Sequence, residues 1–453
     1  MKIAVLINEN LQDMVLGANT SLSYILAAAA FGDVYVYKID ELGELKKNVK
    51  AIFFNKNNSQ EIIDEYRNEN KKISQTLLNQ NLPPKKFVRD LKKNLEMRDF
   101  SFDDIDFVIQ RLEPMKPPFP PFGKVNINEF LRDFSEKIFT KNKIYNLPID
   151  CFGDKEFPLE LDDKNVAVPT KISFLADENI AQKVRKIGQK IILKPDNSAQ
   201  AFGVFAIEFD ENGFDLQRIL LEKLSDLIVG ETFKIKPQID DEELKKIIHI
   251  LFFVQDFKVK KEISDKKIGD FNDSQIKIRG EQLYGHKILI QPFIEGVRIG
   301  DIRIILAKMS DENFAIIGSV FRKTISTNSK NFATGIMSGS SIPVDISSVL
   351  NDEEQKDLIA KTNYVISQLN TKFREQYKNC FELGLDFLLF GDKKHVFLGE
   401  ANHYCQGLIP FCEAVLKNEF YDKINGVKIE HNYGLNITKT VIGEQLSLRR
   451  KVL

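Results

Sequence analysis

Residues 384–402 have the sequence GLDFLLFGDKKHVFLGEAN, in which two apolar runs flank a Gly-Asp-Lys-Lys turn. This pattern predicts a β-hairpin. Asp386 lies in the first run, and Glu400 and Asn402 lie two residues apart in the second. Because residues two apart on a strand share a face, Glu400 and Asn402 point the same way, and the partner strand can present Asp386 to them.

These three side chains predict a metal site. Two carboxylates and an amide oxygen on one face suit a hard divalent cation, and Mg²⁺ usually shares such ligands with nucleotide phosphates. The simpler alternative is a surface hairpin whose polar face meets water. The rest of the chain has to decide between these two interpretations.

Composition and charge exclude several classes of protein. The 453 residues are 43% hydrophobic and 28% charged, which is typical of a globular protein with about two to four domains. The 64 basic and 65 acidic residues give a net charge of −1, so nothing electrostatic favours binding to nucleic acid or to an anionic membrane.

Cysteine usage and apolar runs indicate a cytoplasmic protein. The four cysteines form no C-x-x-C pair, which fits a reducing compartment, and the five histidines do not cluster with them as a zinc site requires. The N-terminal apolar run is too short for a signal peptide, and no run reaches the ~20 residues of a membrane span. We therefore expect no membrane partner.

The N-terminal part predicts a doubly wound half-domain. Residues 2–7 and 33–38 have the pattern of strands around a helix, without a G-x-G-x-x-G dinucleotide motif. Residues 55–100 predict a solvated helical insertion. A following strand ends at Arg111, where ligands bind in such folds, so Arg111 could hold a carboxylate. A surface arginine is the alternative.

Two strands in the middle of the chain end in residues suited to nucleotides. A strand over 190–195 carries Lys194 before a loop of small residues, which suits phosphate binding, although a plain hairpin is the alternative. Residues 287–294 end in Gln291-Pro292-Phe293-Ile294, an apolar slot that could hold a base. The charged stretch 211–280 predicts an insertion with solvated faces.

The C-terminal half adds further polar candidates. Asp301 and Arg303 share one face of an alternating strand, and a strand over 315–323 ends with Arg322 and Lys323. A loop rich in Ser, Thr, Asn and Gly follows and could close over a ligand. Residues 351–379 predict an amphipathic helix.

In order and spacing, these motifs resemble the ATP-grasp superfamily, and within it most closely prokaryotic glutathione synthetase. The motifs that carry the resemblance are Arg111-x-Glu113-Pro114, Asn146-x-Pro148 with Lys155, Ile192-Leu193-Lys194-Pro195, Gln291-x-Phe293-Ile294 with Gly300-Asp301-x-Arg303, Arg322 with Asn331-Phe332-Ala333-x-Gly335, and Gly384-Leu385-Asp386 with Glu400-Ala401-Asn402.

The resemblance implies an α/β ATP-grasp fold, in which two α+β subdomains grip ATP, preceded by a Rossmann-like pre-ATP-grasp domain. The implied domains are an N-terminal substrate domain over 1–145 with the insertion 55–100, a small subdomain over 146–290 with the insertion 211–280, and a large subdomain over 291–453 that carries the metal site.

The resemblance also implies an ATP-dependent carboxylate–amine ligase that works through an acyl phosphate, with ATP and Mg²⁺ or Mn²⁺ as cofactors. The substrates would be a γ-glutamyl peptide and glycine, and a homo-oligomer is expected. The implied roles are metal binding by Asp386, Glu400 and Asn402; catalysis by Arg303, Arg322 and Asn331; ATP binding by Lys155, Lys194, Gln291, Pro292, Phe293, Ile294 and Asp301; and substrate binding by Arg111 and Glu113.

Three departures from the family pattern leave alternatives open. The loop after Lys194 lacks Gly-x-Gly-Gly, residues 403–407 lack Ser-Pro-Thr-x-x-Arg, and the chain is longer, with insertions around 55–100 and 211–280. One alternative is an ATP-grasp ligase that adds an amino acid to another peptide, a protein tail or a natural-product acid. The other is a non-catalytic ATP-binding homologue.

Overall fold

A computed structural model of the chain contains three β-sheets. The residues that the structure describes are 1–8, 20–39, 48–64, 96–112, 130, 133, 144–145, 156–195, 204–224, 232–260, 265–272, 276, 287–294, 300–324, 341–344, 346, 349–378, 380–390, 395–402, 439–444 and 446–447. Within these residues, no helix is both long enough and apolar enough to cross a membrane.

The first sheet has six strands in the order β4-β3-β2-β1-β5-β6. Its four strands β2, β1, β5 and β6 are parallel, and β3 runs antiparallel to both of its neighbours, β2 and β4. Its elements are β1 (Lys2–Ile7), α1 (Thr20–Ala28), β2 (Asp33–Lys38), β3 (Asn48–Phe54), β4 (Glu96–Ser101), a short 3-10 helix (Phe102–Asp104), β5 (Phe107–Gln110) and β6 (Ile144–Tyr145).

The predicted helical insertion over 55–100 is only partly correct. Residues 56–64 are helical, but β4 at its end is an edge strand of the first sheet. The reason is aromatic packing: the ring of Phe100 lies 5.6 Å from that of Tyr35 and 4.6 Å from that of Phe102. Burying these rings against the sheet outweighs the polar composition of the surrounding sequence.

The second sheet has five strands in the order β10-β9-β8-β11-β7. Helices cover one of its faces. Its elements are α2 (Phe157–Glu160), which precedes it, β7 (Lys171–Phe174), α3 (Ile180–Arg185), β8 (Lys190–Pro195), β9 (Phe205–Phe214), α4 (Leu216–Leu221), β10 (Thr232–Ile235), α5 (Asp241–Lys260), a short 3-10 helix (Ile268–Asp270) and β11 (Lys287–Pro292).

The prediction that residues 211–280 form a solvated insertion is wrong for α5 and β10. Strand β10 pairs with β9, and α5 packs its apolar side into the core of the second sheet. Leu244, Ile247, Ile248 and Leu251 are fully buried there. Their i, i+3, i+4, i+7 spacing places them on one helix face, and Glu242 and Lys246 of the same helix are exposed.

The third sheet is antiparallel, with the order β14-β13-β12-β15-β16. Its elements are β12 (Gly300–Lys308), β13 (Phe314–Thr324), β14 (Ser341–Val344), α6 (Asp352–Asn370), β15 (Glu382–Phe390) and β16 (His395–Asn402). Helix α6 covers its apolar face and is capped by the Asn351 side chain, which accepts from the backbone N–H groups of Glu353 and Glu354.

The first and third sheets share a hydrophobic core. Ile305, Ala307 and Ile317 of the third sheet belong to the same buried cluster as Ile3 and Val5 of the first. Residues 157–166 pack instead into the core of the third sheet, beside α6. The predicted boundary near residue 146 lies outside the described residues, so the domain limits stay predictions.

A charged turn fixes the connection between β7 and α3. The Lys183 ammonium lies 2.5 Å and the Ser173 hydroxyl 2.8 Å from Asp177 Oδ2. The Lys183 bond, the backbone N–H of Asn179 and the Ser173 bond together lower the pKa of the Asp177 carboxyl from 3.8 to about 2. Because the pKa is depressed in the folded state, the ionised carboxylate stabilises the fold.

We expect this stabilisation to depend on pH in a defined window. Above about pH 4 the wild type should unfold at a higher temperature than Asp177→Asn, because the carboxylate is ionised in both the folded and the unfolded chain. As the pH falls towards about 2, the difference in melting temperature should shrink, since Asp177 becomes protonated in the folded chain as well. A difference that stays constant from pH 5 to pH 2 (roughly the window set by the two pKa values) would contradict this assignment.

Candidate active site

The hairpin predicted from residues 384–402 is formed by β15 and β16, and its polar residues align with β12. Arg303 lies opposite Asp386, and Asp386 lies opposite Glu400. Residues directly opposite one another on neighbouring strands share a face. Arg303, Asp386 and Glu400 therefore form a row across three strands, with Asn402 beside it on β16.

A β-bulge at Gly399 creates this row. Phe387 pairs with Leu398 but Asp386 pairs with Glu400, so Gly399 is an extra residue in β16. In an unbroken ladder Glu400 would lie opposite Leu385, whose side chain is in the apolar core. A shift of one residue exchanges the two faces of a strand, so the bulge moves Glu400 and Asn402 from the core face to the polar face.

The bulge position favours glycine. A Cβ atom at residue 399 would lie 3.0 Å from Cγ and Cδ1 of Leu388 and 3.5 Å from the carbonyl oxygen of Asp386. Glycine in a strand often marks such a bulge or a close backbone approach, and this was the sequence signal that could have revealed it.

Arg303 and Asp386 form a buried bidentate ion pair. Arg303 Nε donates to Asp386 Oδ1 at 2.7 Å, and Arg303 Nη2 donates to Asp386 Oδ2 at 2.6 Å. The two side chains are 8% and 5% exposed. Fork-shaped pairing of this kind fixes the orientation of both groups as well as neutralising their charges.

Asp386, Glu400 and Asn402, hereafter the carboxylate cluster, converge on one point. Asn402 Nδ2 donates to Asp386 Oδ2 at 2.9 Å and to Glu400 Oε1 at 3.0 Å. A single amide nitrogen therefore lies within bonding distance of oxygens from two carboxylates.

This donor set fits a hard divalent cation. Carboxylate and amide oxygens are the ligands that Mg²⁺ and Mn²⁺ prefer, and the Asn402 amide carries an oxygen as well as the nitrogen that faces the carboxylates. Among the described residues, no group of three or more histidine, cysteine, aspartate or glutamate side chains could hold a metal ion. An amide would therefore have to supply the third ligand of the cluster.

The predicted nucleotide residues of the second sheet share one face of it. Leu193 and Ile290 point into the core, so their neighbours Lys194 and Gln291 point to the opposite face. Both side chains are buried, at 9% and 6% exposure. Beyond Pro292, the backbone N–H of Phe293 donates to the carbonyl of Lys190 at 3.0 Å, and Ile294 is half-buried.

A connecting segment over residues 166–170 links this face to the hairpin. Leu398 of β16 donates its N–H to the carbonyl of Val166 at 2.7 Å, and its own carbonyl accepts from Val168 N–H at 3.3 Å. Two residues further on, the Thr170 hydroxyl accepts from Gln291 Nε2 at 2.6 Å. The segment has the sequence Val-Ala-Val-Pro-Thr, which carries no distinctive motif that would have revealed it.

Several predicted residues remain only partly placed. Asp301 is buried, and its backbone lies opposite that of Arg322, whose side chain lies outside the described residues. Lys155, Asn331 and Glu113 also lie outside the described residues. Their roles stay predictions.

Arg111 contacts a carboxylate of the protein, in place of the predicted substrate carboxylate. Arg111 Nη1 donates to Glu382 Oε1 at 2.6 Å, and both side chains are almost fully buried. Its guanidinium carbon lies 4.2 Å from the centre of the Tyr24 ring. A substrate cannot reach a guanidinium that is 1% exposed and enclosed in this way.

Residues 245–418 match a family model described as YheC/D like ATP-grasp. This match is to an ATP-grasp family. It spans Gln291, Arg303 and the whole carboxylate cluster, and it supports the ATP-grasp superfamily and the α/β ATP-grasp fold that the motifs predict. The match covers less than half of the chain, and its description does not name glutathione synthetase.

Solved structures with similar folds include ligases and a carboxylase. They are the VanG D-Ala:D-Ser ligase from Enterococcus faecalis (11% identity, 99% of both chains, TM-score 0.47), a D-alanine–D-alanine ligase from Bacillus anthracis complexed with ATP (10%, 100% of both chains, 0.44) and the biotin carboxylase domain of the 2-oxoglutarate carboxylase from Hydrogenobacter thermophilus (12%, 98% of this chain and 69% of that chain, 0.43). No curated protein matches the chain.

Breaking the Arg303–Asp386 pair should strongly destabilise the fold. Arg303→Met is expected to lower the free energy of unfolding by about 3–5 kcal/mol, because it leaves a buried carboxylate unpaired. Arg303→Met with Asp386→Leu should recover most of this loss, since both charges are removed. Urea unfolding of the three proteins measures both effects. The matched control is Arg374→Met in the exposed Arg374–Glu312 pair, which should lower the free energy of unfolding by less than about 1 kcal/mol. An equally small effect of Arg303→Met would contradict the role assigned to burial.

Deleting Gly399 should destroy the carboxylate cluster. Without the extra residue, the ladder would turn Glu400 and Asn402 towards the core. The deletion variant should therefore lose cooperative unfolding or, if it still folds, show no rise in melting temperature when MgATP is added. The matched control is Gly399→Ala, which keeps the bulge and should cost about 1–3 kcal/mol through its contact with Leu388. Wild-type stability and a wild-type MgATP shift in the deletion variant would contradict the role of the bulge.

Proposed function

We propose that the protein is an ATP-dependent ligase that joins a carboxylic acid to an amine through an acyl phosphate. The observation that carries this proposal is the carboxylate cluster, held on the polar face of the third sheet beside Arg303 and inside the segment that matches an ATP-grasp family. Two converging carboxylates at a bulge are a costly arrangement unless a cation or a hydrogen-bond donor offsets their repulsion.

The reaction balances without a protein nucleophile. A carboxylate oxygen of the acid attacks the γ-phosphorus of ATP, the bond to the β–γ bridging oxygen breaks, and ADP leaves. The amine nitrogen then attacks the acyl carbon, inorganic phosphate leaves, and the nitrogen loses a proton. Catalysis of both steps depends on positioning the reactants and neutralising the charge that develops on the phosphoryl oxygens.

Asp386, Glu400 and Asn402 would hold Mg²⁺ or Mn²⁺, which when bound neutralises phosphate charge. Arg303 keeps Asp386 oriented and places a fixed positive charge beside the cluster. Lys194 would bind a phosphate from the second sheet, and the segment after Gln291 would hold the base.

The remaining roles rest on the resemblance in sequence. Asp301 and Lys155 would contribute to ATP binding, and Arg322 and Asn331 would stabilise the transferred phosphoryl group. Glu113, three residues after the end of β5 in the sequence, would contact the acid. The N-terminal unit would act as a Rossmann-like substrate domain in a cytoplasmic enzyme, which we also propose to be a homo-oligomer.

The specific reaction that the motifs favour is that of glutathione synthetase: γ-glutamylcysteine, glycine and ATP give glutathione, ADP and phosphate. The support for it is the sequence resemblance at Ile192–Pro195 and the hairpin. A ligase that acts on another peptide, protein tail or natural-product acid would use the same cluster. A non-catalytic nucleotide-binding protein is disfavoured, because binding alone does not require the cluster to be kept intact.

The function can be tested by ATP-dependent phosphate release against a panel of acids and amines. The wild type should release phosphate only when Mg²⁺, ATP and one matching acid–amine pair are all present, with γ-glutamylcysteine and glycine as the first pair. Glu400→Ala should lower the rate by about a hundredfold or more, because one ligand of the cation is lost. The matched control is Glu353→Ala, an exposed glutamate in the first turn of α6, which should retain wild-type turnover.

Three outcomes separate the alternatives. Turnover with γ-glutamylcysteine and glycine alone supports the glutathione synthetase reaction, and turnover with a different pair supports the broader ligase. ATP binding without turnover of any pair would support the non-catalytic alternative. Full activity of Glu400→Ala would overturn the metal assignment.

A further inference from the structure

The buried ion pair between Arg111 and Glu382 joins two sheets at the side where ligands are expected. Arg111 directly follows β5, whose neighbours β1 and β6 run parallel to it, so the pair lies at the carboxyl edge of the first sheet. In open α/β sheets, ligands bind along this edge. An ion pair at this edge fixes the distance between the first sheet and the element that faces it.

The element opposite is the strand that carries Asp386. Glu382 is the first residue of β15 and lies four residues before Asp386. The intervening Leu383 and Leu385 point into the core of the third sheet, so Glu382 and Asp386 share the polar face. Four residues of an extended strand span about 13–14 Å, a distance that a bound acid and the terminal phosphates of a nucleotide could bridge.

The start of β15 is itself held rigidly. Lys308, at the end of β12, donates from its backbone N–H to the carbonyl of Phe381 at 2.9 Å. Its ammonium donates to the carbonyls of Tyr377 and Lys378, both at 2.7 Å. Because this end of the strand is fixed on its own sheet, a displacement of Glu382 through its ion pair with Arg111 would move Asp386 as well.

The contact is stiff on the Arg111 side as well. The guanidinium lies against the Tyr24 ring of α1, which is fully buried and belongs to the core that the first and third sheets share. A buried pair of this kind contributes little net stability compared with apolar residues of similar volume, but it fixes the relative orientation of its partners. The pair therefore contributes more to the relative position of the two sheets than to the stability of the fold.

We propose that Arg111 and Glu382 are positioning residues, which fix the carboxyl edge of the first sheet over the polar face of the third sheet so that an acid bound at that edge meets the carboxylate cluster at the correct distance. The proposal rests on the ligase function for its catalytic consequence only. Its structural part, the fixed placement of two sheets, is independent of any reaction.

The decisive variant is Arg111→Met with Glu382→Leu, which removes both charges but keeps the buried volume. If the pair contributed only to stability, the folded double variant would have the same distance distribution between the sheets and the same kcat as the wild type. As a positioning pair, its loss should loosen the two sheets at an unchanged melting temperature. Arg111→Lys, which keeps the charge but not the planar fork, is a second variant should the double variant fail to fold. The matched control is Glu312→Gln, which breaks an exposed ion pair with Arg374.

The first readout is the distance between the two sheets, measured between two spin labels by double electron–electron resonance. Labels on genetically encoded side chains at Lys50 of the first sheet and Lys356 of α6, both exposed, leave the four cysteines untouched. We expect a narrow distance distribution for the wild type and Glu312→Gln, and a broader one for the double variant and Arg111→Lys. Equally narrow distributions in all four proteins would overturn the proposal.

The second readout is kinetic and uses ATP with the acid–amine pair that the wild type turns over. The double variant should lose about tenfold or more in kcat, because small misplacements of reacting groups have large effects on rate, while KM for ATP stays within about twofold. An unchanged kcat in the folded double variant would overturn the catalytic part of the proposal. A wild type that turns over no pair would overturn the ligase function instead, and the distance measurement would still decide the positioning role.

Discussion

The candidate site depends on a single extra residue in one strand. Gly399 shifts the ladder between β15 and β16 by one position, and this shift brings Glu400 and Asn402 onto the face that carries Asp386 and Arg303. On the other face, the same shift keeps Leu398 and Ala401 in the apolar core. Because a strand has only two faces, one residue more or fewer would exchange ligands for core residues along the rest of the strand.

Charge balance stabilises the carboxylate cluster. Asp386 is buried, and an unpaired carboxylate in that position would be costly. Arg303 neutralises it through two hydrogen bonds, and the Asn402 amide donates to both carboxylates. The pre-arranged donors mean that little reorganisation of the backbone is needed when the positive charge comes from a bound ion.

Sequence patterns predicted the local parts of this account well and the contacts between distant parts poorly. Alternation and turn chemistry were enough to predict the hairpin, and apolar runs were enough to predict the strands that carry Lys194 and Gln291. The amphipathic period of α5 was present but masked by its charges, so its core role was missed. Arg111 at a strand end predicted a ligand contact, but only the fold could reveal that Glu382, 271 residues away, takes that place.

A crystal structure with Mn²⁺ and a non-hydrolysable ATP analogue would show whether the carboxylate cluster binds the cation that accompanies ATP. We expect an anomalous manganese peak about 2.0–2.3 Å from oxygens of Asp386, Glu400 and Asn402, with the amide of Asn402 presenting its oxygen to the ion. A manganese peak elsewhere on the nucleotide, with the Asn402 nitrogen still bridging the two carboxylates, would contradict it.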